Sequence, residues 1–208
     1  DILTGKVCPS GKLTMTWPVT ATDHPSTANF PQDDLSLYSY REMKGWGMPM
    51  KGFDFTNHDE DIYVGYRYFD TFGKAVAYPF GYGLSYTSFT YGKPTVKVAG
   101  ENVVISVMVK NTGKVEGKEA VQVYVSAPEA GIEKPAKELK SFAKTKALKP
   151  GESETLKMTI PVRDLASYDE QNSQWLAPAG TYTFHVAANI NDIRGTATAS
   201  IKQYTEKT

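Results

Sequence analysis

Residues capable of chemistry are few in this chain, and they gather in its first third. Asp59-Glu60-Asp61 is a run of three carboxylates directly after Asn57-His58. Two carboxylates facing each other can divide the work of nucleophile and general acid, but adjacent like charges in a polar turn face solvent instead. Asp23-His24 and His58 to Asp61 hold metal-ligand types, yet the whole chain has three histidines and one cysteine. No two of the histidines share a helical or strand face, so a structural zinc site is not expected. Gly81-Tyr82-Gly83 lacks the third glycine of a phosphate-binding loop, and no helix-forming run follows it, so these glycines read as turn residues. His185 alternates with Thr181 and Thr183 on the face opposite Phe184, which reads as a solvated strand face. The sequence therefore predicts no catalytic residue, no metal ligand and no cofactor site.

Aromatics offer a different chemistry. Tyr38, Tyr40, Trp46, Phe53 and Phe55 lie among Gly45, Gly47, Pro49 and Gly52 with no sustained period. Long irregular stretches inside compact proteins are often functional. A flat ring such as that of Trp46 can stack on the C–H face of a sugar while neighbouring polar groups bind hydroxyls. Trp46 is the candidate substrate-binding residue. The alternative is that these rings anchor the loop to its surroundings.

The elements that must position these residues fall into two halves. From Val103 the pattern is strictly alternating: Val103, Ile105, Val107 and Val109 share one face, opposite Val104, Ser106 and Met108. The same period recurs in Val121, Val123 and Val125 opposite Gln122 and Tyr124, in Leu156, Met158 and Ile160, and in Tyr182, Phe184, Val186 and Ala188. Turn signals at Asn111-Thr-Gly113, Lys149-Pro-Gly151 and Ala177-Pro-Ala-Gly180 separate these runs. Residues 88–208 are expected to form an immunoglobulin-like β-sandwich of two antiparallel sheets. Arg163 to Asp169 reads as a helical turn, with Leu165 and Tyr168 covering one end of it.

Residues 1–87 are less regular. Lys12 to Trp17 alternates Leu13, Met15 and Trp17 against Thr14 and Thr16, a strand ending at Pro18. Nothing else before Phe80 reads as its partner, so the strand is expected to require a domain outside this sequence. Ile62 to Asp70 reads as a tyrosine-rich, strand-like run. Arg67 within it is expected to be buried at the domain junction and tied to carboxylate or carbonyl partners.

Bulk properties narrow the functional classes. Lys plus Arg and Asp plus Glu number 23 each among 208 residues, so the formal net charge is zero. No basic face marks a nucleic-acid partner. No run approaches the roughly 20 apolar residues of a membrane span. The single cysteine, Cys8, excludes an internal disulfide.

Several collinear segments resemble glycoside hydrolase family 3, the β-glucosidases and β-xylosidases. They are Leu3-Thr-Gly-Lys-Val-Cys-Pro-Ser-Gly-Lys-Leu-Thr-Met-Thr-Trp-Pro18, Ile62 to Asp70, Tyr78-Pro-Phe-Gly-Tyr-Gly-Leu-Ser-Tyr-Thr87, Val109 to Val125, Lys137 to Phe142, Leu148 to Glu152 and Arg163 to Asp169. The resemblance implies that 1–87 is the end of an α/β sandwich domain with a long loop and linker, and that 88–208 is a fibronectin type III-like domain. It also implies that the chain is a C-terminal fragment of a retaining, exo-acting β-glycosidase, inactive alone. In that family the nucleophile is an Asp on an upstream barrel and, in many members, the acid/base is a Glu earlier in the α/β domain, so neither would lie here. Expected partners are those upstream domains and, for the parent enzyme, a β-glycoside or oligosaccharide, with no cofactor. The resemblance implies a periplasmic or secreted bacterial location, or a cytoplasmic one. The competing reading is a free-standing β-sandwich module that binds carbohydrate or protein.

Overall fold

The computed structural model describes residues 1–27 and 58–207 together with the backbone of 41–42 and 49–50. Strand β1 (Trp17–Pro18) opens the chain's regular structure, and β2 (Arg41–Glu42) and β3 (Pro49–Met50) pair antiparallel with each other. Helix α1 (Tyr66–Thr71) and β4 (Val76–Tyr78) complete the first part. The second part runs β5 (Phe89–Tyr91), β6 (Thr95–Ala99), β7 (Asn102–Asn111), β8 (Ala120–Ser126), β9 (Glu138–Lys144) and β10 (Ser153–Pro161). It continues with β11 (Ser167–Asp169), β12 (Gln174–Ala177), β13 (Gly180–Asn189), β14 (Asp192–Ile201) and β15 (Tyr204–Lys207).

These later strands make the sandwich that their alternation predicts. One sheet has β7 at its centre, with β10 on one edge and β5 and β6 sharing the other; the second runs β14-β13-β8-β9, and every pairing is antiparallel. Val103, Ile105, Val107 and Val109 of β7 meet Leu156, Met158 and Ile160 of β10 along one wall of the core. Val121, Val123, Val125, Tyr182, Phe184 and Val186 form the other wall. All but a few of these side chains are fully sealed from water, each contributing about 1.5–3 kcal/mol of apolar burial. A small third sheet, β11-β12-β15, closes one end.

The linker is locked to the sandwich by one buried amide. Asn111 donates from Nδ2 to the carbonyls of Val115 (2.8 Å) and Leu148 (2.7 Å), while its Oδ1 accepts from Thr87 Oγ1 (2.6 Å) and the Gly113 N–H (3.0 Å). Both donors and both acceptor positions are used, which a fully buried amide requires.

The elements differ from the sequence expectations in three places. The strand foreseen over Lys12 to Trp17 is regular only at Trp17–Pro18; upstream, Leu13 makes single backbone bonds with Tyr82 and Gly81. An alternating pattern becomes a ladder only where a neighbouring strand lies alongside. That neighbour does exist for β1, since Trp17 lies opposite Tyr78 of β4, a strand too short for its periodicity to register. Ile62 to Asp70, read as strand-like, holds all of helix α1 but its last residue. Gly65 enters it at φ 59°, and Tyr66, Phe69 and Asp70 then share one face at helical spacing.

Arg163 to Asp169 is the remaining difference. A short 3₁₀ turn covers Val162–Leu165, with Leu165 buried, but the chain then extends as β11 and turns Tyr168 outward beside Trp175, its cross-strand partner. Their rings meet edge to face at 5.5 Å. Among the described residues no helix is long and apolar enough to cross a membrane.

Candidate functional site

Alternation along β8 aims Gln122 and Tyr124 away from the sandwich core, yet both are buried, because α1 and the Pro79–Gly83 turn lie over this outer face. Tyr124 is the floor of an aromatic cluster. Its ring meets Tyr66 of α1 edge to face at 6.1 Å and Phe80 at 6.5 Å, while Tyr66 and Phe80 lie 4.6 Å apart. Ala187, Ile190, Leu139 and Ile193 complete the patch. Burial pushes the Tyr124 phenol well above its ordinary range, so it stays protonated and donates to Gln122 Oε1.

Polar contacts fix the register of this docking. Gln122 Nε2 donates to the carbonyls of Gly81 (3.2 Å) and Ala188 (3.0 Å), and the Ile190 N–H donates to Phe80 O (3.2 Å). From α1, the Tyr66 hydroxyl accepts the Leu139 N–H (2.9 Å) and Thr71 Oγ1 accepts the Ala136 N–H (3.0 Å). Lys137 Nζ lies 2.8 Å from Asp70 Oδ1, and Arg67 Nη2 lies 3.1 Å from Glu138 Oε1. Arg67 has the carboxylate partner its sequence context suggested, but it is half-exposed; Asp70 is the buried charge at this junction.

Farther along, Glu119 Oε1 gathers Lys12 Nζ (3.1 Å) and the Tyr91 hydroxyl (2.9 Å), joining the N-terminal segment to β5. Glu119 itself is buried, and so little water competes for this pair.

His185 departs from the solvated reading. It is half-buried on the same outer face, with Nε2 3.0 Å from Ser126 Oγ. Ser126 donates its own proton to Ala136 O at 2.7 Å, so the hydroxyl accepts from His185 and is not activated as a nucleophile. Burial, with Lys137 nearby, lowers the His185 pKa, and Asp70 opposes the shift.

Beside the docked turn, the N-terminal arm carries apolar surface. Leu13, Trp17, Tyr78, Tyr82 and Leu84 line a cleft of about 530 Å³. Trp17 and Tyr78 meet edge to face at 6.4 Å, and Trp17 is 51% exposed and Leu84 68%. Met15, Val19, Ile2, Leu3 and Val7 extend the exposed apolar surface nearby in sequence.

The carboxylates singled out by sequence do not form a site. Asp59 and Asp61 lie in an exposed turn, and Glu60 Oε1 sits 3.6 Å from His58 Nδ1. Among the described residues no group of three His, Cys, Asp or Glu side chains could hold a metal ion. Trp46 lies outside the described residues. The docking residues Gln122 and Tyr124 escaped the sequence reading, although a strand with large side chains on both faces was the available signal.

Comparison with known proteins explains the layout. The fibronectin type III-like domain family matches residues 119–190, within the sandwich. Over 93% of its length the chain is 41% identical to β-glucosidase A of Butyrivibrio fibrisolvens, and over 95% it is 38% identical to β-glucosidase BoGH3A of Bacteroides ovatus. Its backbone superposes on β-glucosidase 3B of Thermotoga neapolitana, solved with glucose, at a TM-score of 0.87 with 42% identity across the whole chain. The chain is homologous to the C-terminal part of family 3 β-glucosidases. It spans 24% and 25% of those two relatives and 27% of the solved structure.

Proposed function

We propose that this chain is the docking and closing portion of a retaining, exo-acting β-glycosidase, with the two reacting carboxylates supplied by upstream barrel and α/β domains. The observation that carries this reading is the cleft lined by Leu13, Trp17, Tyr78, Tyr82 and Leu84, whose aromatic surface stands in solvent on the arm that precedes the sandwich. Patches of this kind mark protein contacts. A free-standing binding module would gain nothing from an arm that costs it exposed Trp, Tyr and Leu side chains.

In this reading hydrolysis proceeds through a glycosyl-enzyme intermediate: one upstream carboxylate attacks the anomeric carbon while a second protonates the leaving oxygen, then activates water. The chain contributes rigidity, holding the upstream fold against the sandwich through β1, β4 and α1. Trp46 is its candidate sugar-stacking residue. A bacterial periplasmic or secreted setting suits a saccharide-cleaving enzyme of this type.

The test is hydrolysis of an aryl β-glucoside and an aryl β-xyloside by the chain alone and after mixing with the separately produced upstream portion. No turnover alone and turnover on mixing is the expected result. Robust turnover by the chain alone would overturn the proposal and return attention to Asp59, Glu60 and Asp61.

A further inference from the structure

Two buried polar atoms among the described residues have no hydrogen-bond partner, Thr16 Oγ1 and Asp70 Oδ2. Both residues line the same small cavity of about 20 Å³, together with Phe69, Lys74, Ile190 and Asn191. Thr16 is 6% exposed and the Asp70 side chain 9%. Leaving a hydroxyl and one oxygen of a carboxylate dry in the same place is costly, since each forfeits its hydrogen bonds to bulk water.

We propose that this cavity holds one resident water molecule that bridges Thr16 Oγ1 and Asp70 Oδ2. Its size fits: a water needs roughly 10–15 Å³ of such space and two to four polar partners. Its chemistry fits as well. The carboxylate oxygen accepts one water hydrogen, and the Thr16 hydroxyl either accepts the other or donates to the water oxygen. A metal cation is disfavoured because Lys137, 2.8 Å from Asp70 Oδ1, already balances the carboxylate, and Lys74 lines the same space. An anion is repelled by Asp70 itself.

The water joins two pieces of chain beside a third. Thr16 precedes β1, Asp70 belongs to α1, and Ile190 and Asn191 form the β13–β14 turn of the sandwich. Asp70 thereby becomes a hub, gripping the sandwich through Lys137 with one oxygen and the N-terminal arm through the water with the other.

Thr16→Val separates the alternatives by the sign of its effect, because valine matches threonine in shape and removes only the hydroxyl. With the water in place, the substitution strips away one of its partners, and the thermal midpoint of the 208-residue chain falls by about 2–6 °C. Without it, the same change relieves an unpaired buried hydroxyl, and the midpoint rises or stays level. Thr16→Ser keeps the hydroxyl and retains the water. A crystal structure of the chain at about 1.8 Å or better should show a single density peak within about 3.2 Å of both oxygens. A dry cavity, Lys74 Nζ seated on Asp70 Oδ2, or a midpoint raised or unmoved by Thr16→Val would each overturn the proposal.

Discussion

Gln122 reaches from the outer face of β8 to the carbonyl oxygen of Gly81, 3.2 Å away, and this bond presses the turn that follows β4 directly onto the sandwich. The approach is possible because Gly81 has no side chain. A Cβ built there would stand 2.1 Å from Gln122 Oε1, and the residue adopts a φ of 80°. Gly81→Ala should therefore destabilise the chain by about 2–4 kcal/mol, combining left-handed strain with a displaced Gln122. Gly73→Ala is the control, since Gly73 has φ 60° but nothing within 4 Å of a built Cβ. Denaturant unfolding of the two variants should show Gly81→Ala as clearly the more damaging, and equal losses would refute the contact's importance.

The half-buried His185 gives the docked face a pH dependence. Its folded pKa is lowered from the ordinary 6.5, so the unfolded chain takes up its proton first as pH falls. Stability from this group is fully present above about 6.5 and is lost progressively as pH drops from that value through the folded pKa. Urea midpoints measured between pH 5 and 8, a range of about three units around the ordinary histidine value, should fall on the acid side. His185→Gln should flatten that slope; an unchanged slope would assign the dependence to other groups.

Charge pairs at the junction should differ in weight. Arg67 faces Glu138 from a half-exposed position, so Arg67→Ala is expected to cost no more than about 1 kcal/mol. Lys137→Ala leaves the buried Asp70 carboxylate without its cation, with an expected loss of roughly 2–4 kcal/mol. Chemical denaturation of the two variants side by side checks the ranking, and a larger loss from Arg67→Ala would reverse it.

The sandwich was legible because its strands are half-buried on one side only. Val103 to Val109 and Leu156 to Ile160 alternate with period two, and burial follows that period in the structure. Legibility fails where a second surface covers the first. Gln122 and Tyr124 occupy positions that alternation assigns to solvent, and α1 and the turn at Phe80 and Gly81, more than 40 residues away in sequence, help to cover them. Helix α1 was misread for a related reason: tyrosine and phenylalanine favour strands in general, but here Gly65 sets the turn and tertiary contacts with Leu139 and Tyr124 hold six residues helical. The family resemblance carried by Leu3 to Pro18, Ile62 to Asp70, Tyr78 to Thr87 and the segments of the sandwich pointed to the correct relatives.

Trp46 supplies a prediction for the parent enzyme. If its ring stacks on a pyranose face, Trp46→Ala should raise KM for an oligosaccharide by about tenfold, equivalent to roughly 1.4 kcal/mol, with unfolding unchanged. Unaltered KM and kcat would remove it from the binding site.

The central claim is that the exposed aromatic arm is a docking surface for the upstream portion of the same protein. Calorimetric titration of the chain with that portion, produced separately, tests it most directly. The account predicts saturable binding that Trp17→Glu, placed on the solvent-facing wall of the cleft, weakens by at least tenfold, about 1.4 kcal/mol, while the sandwich stays folded. No binding by the unaltered chain, or binding indifferent to Trp17→Glu, would contradict it.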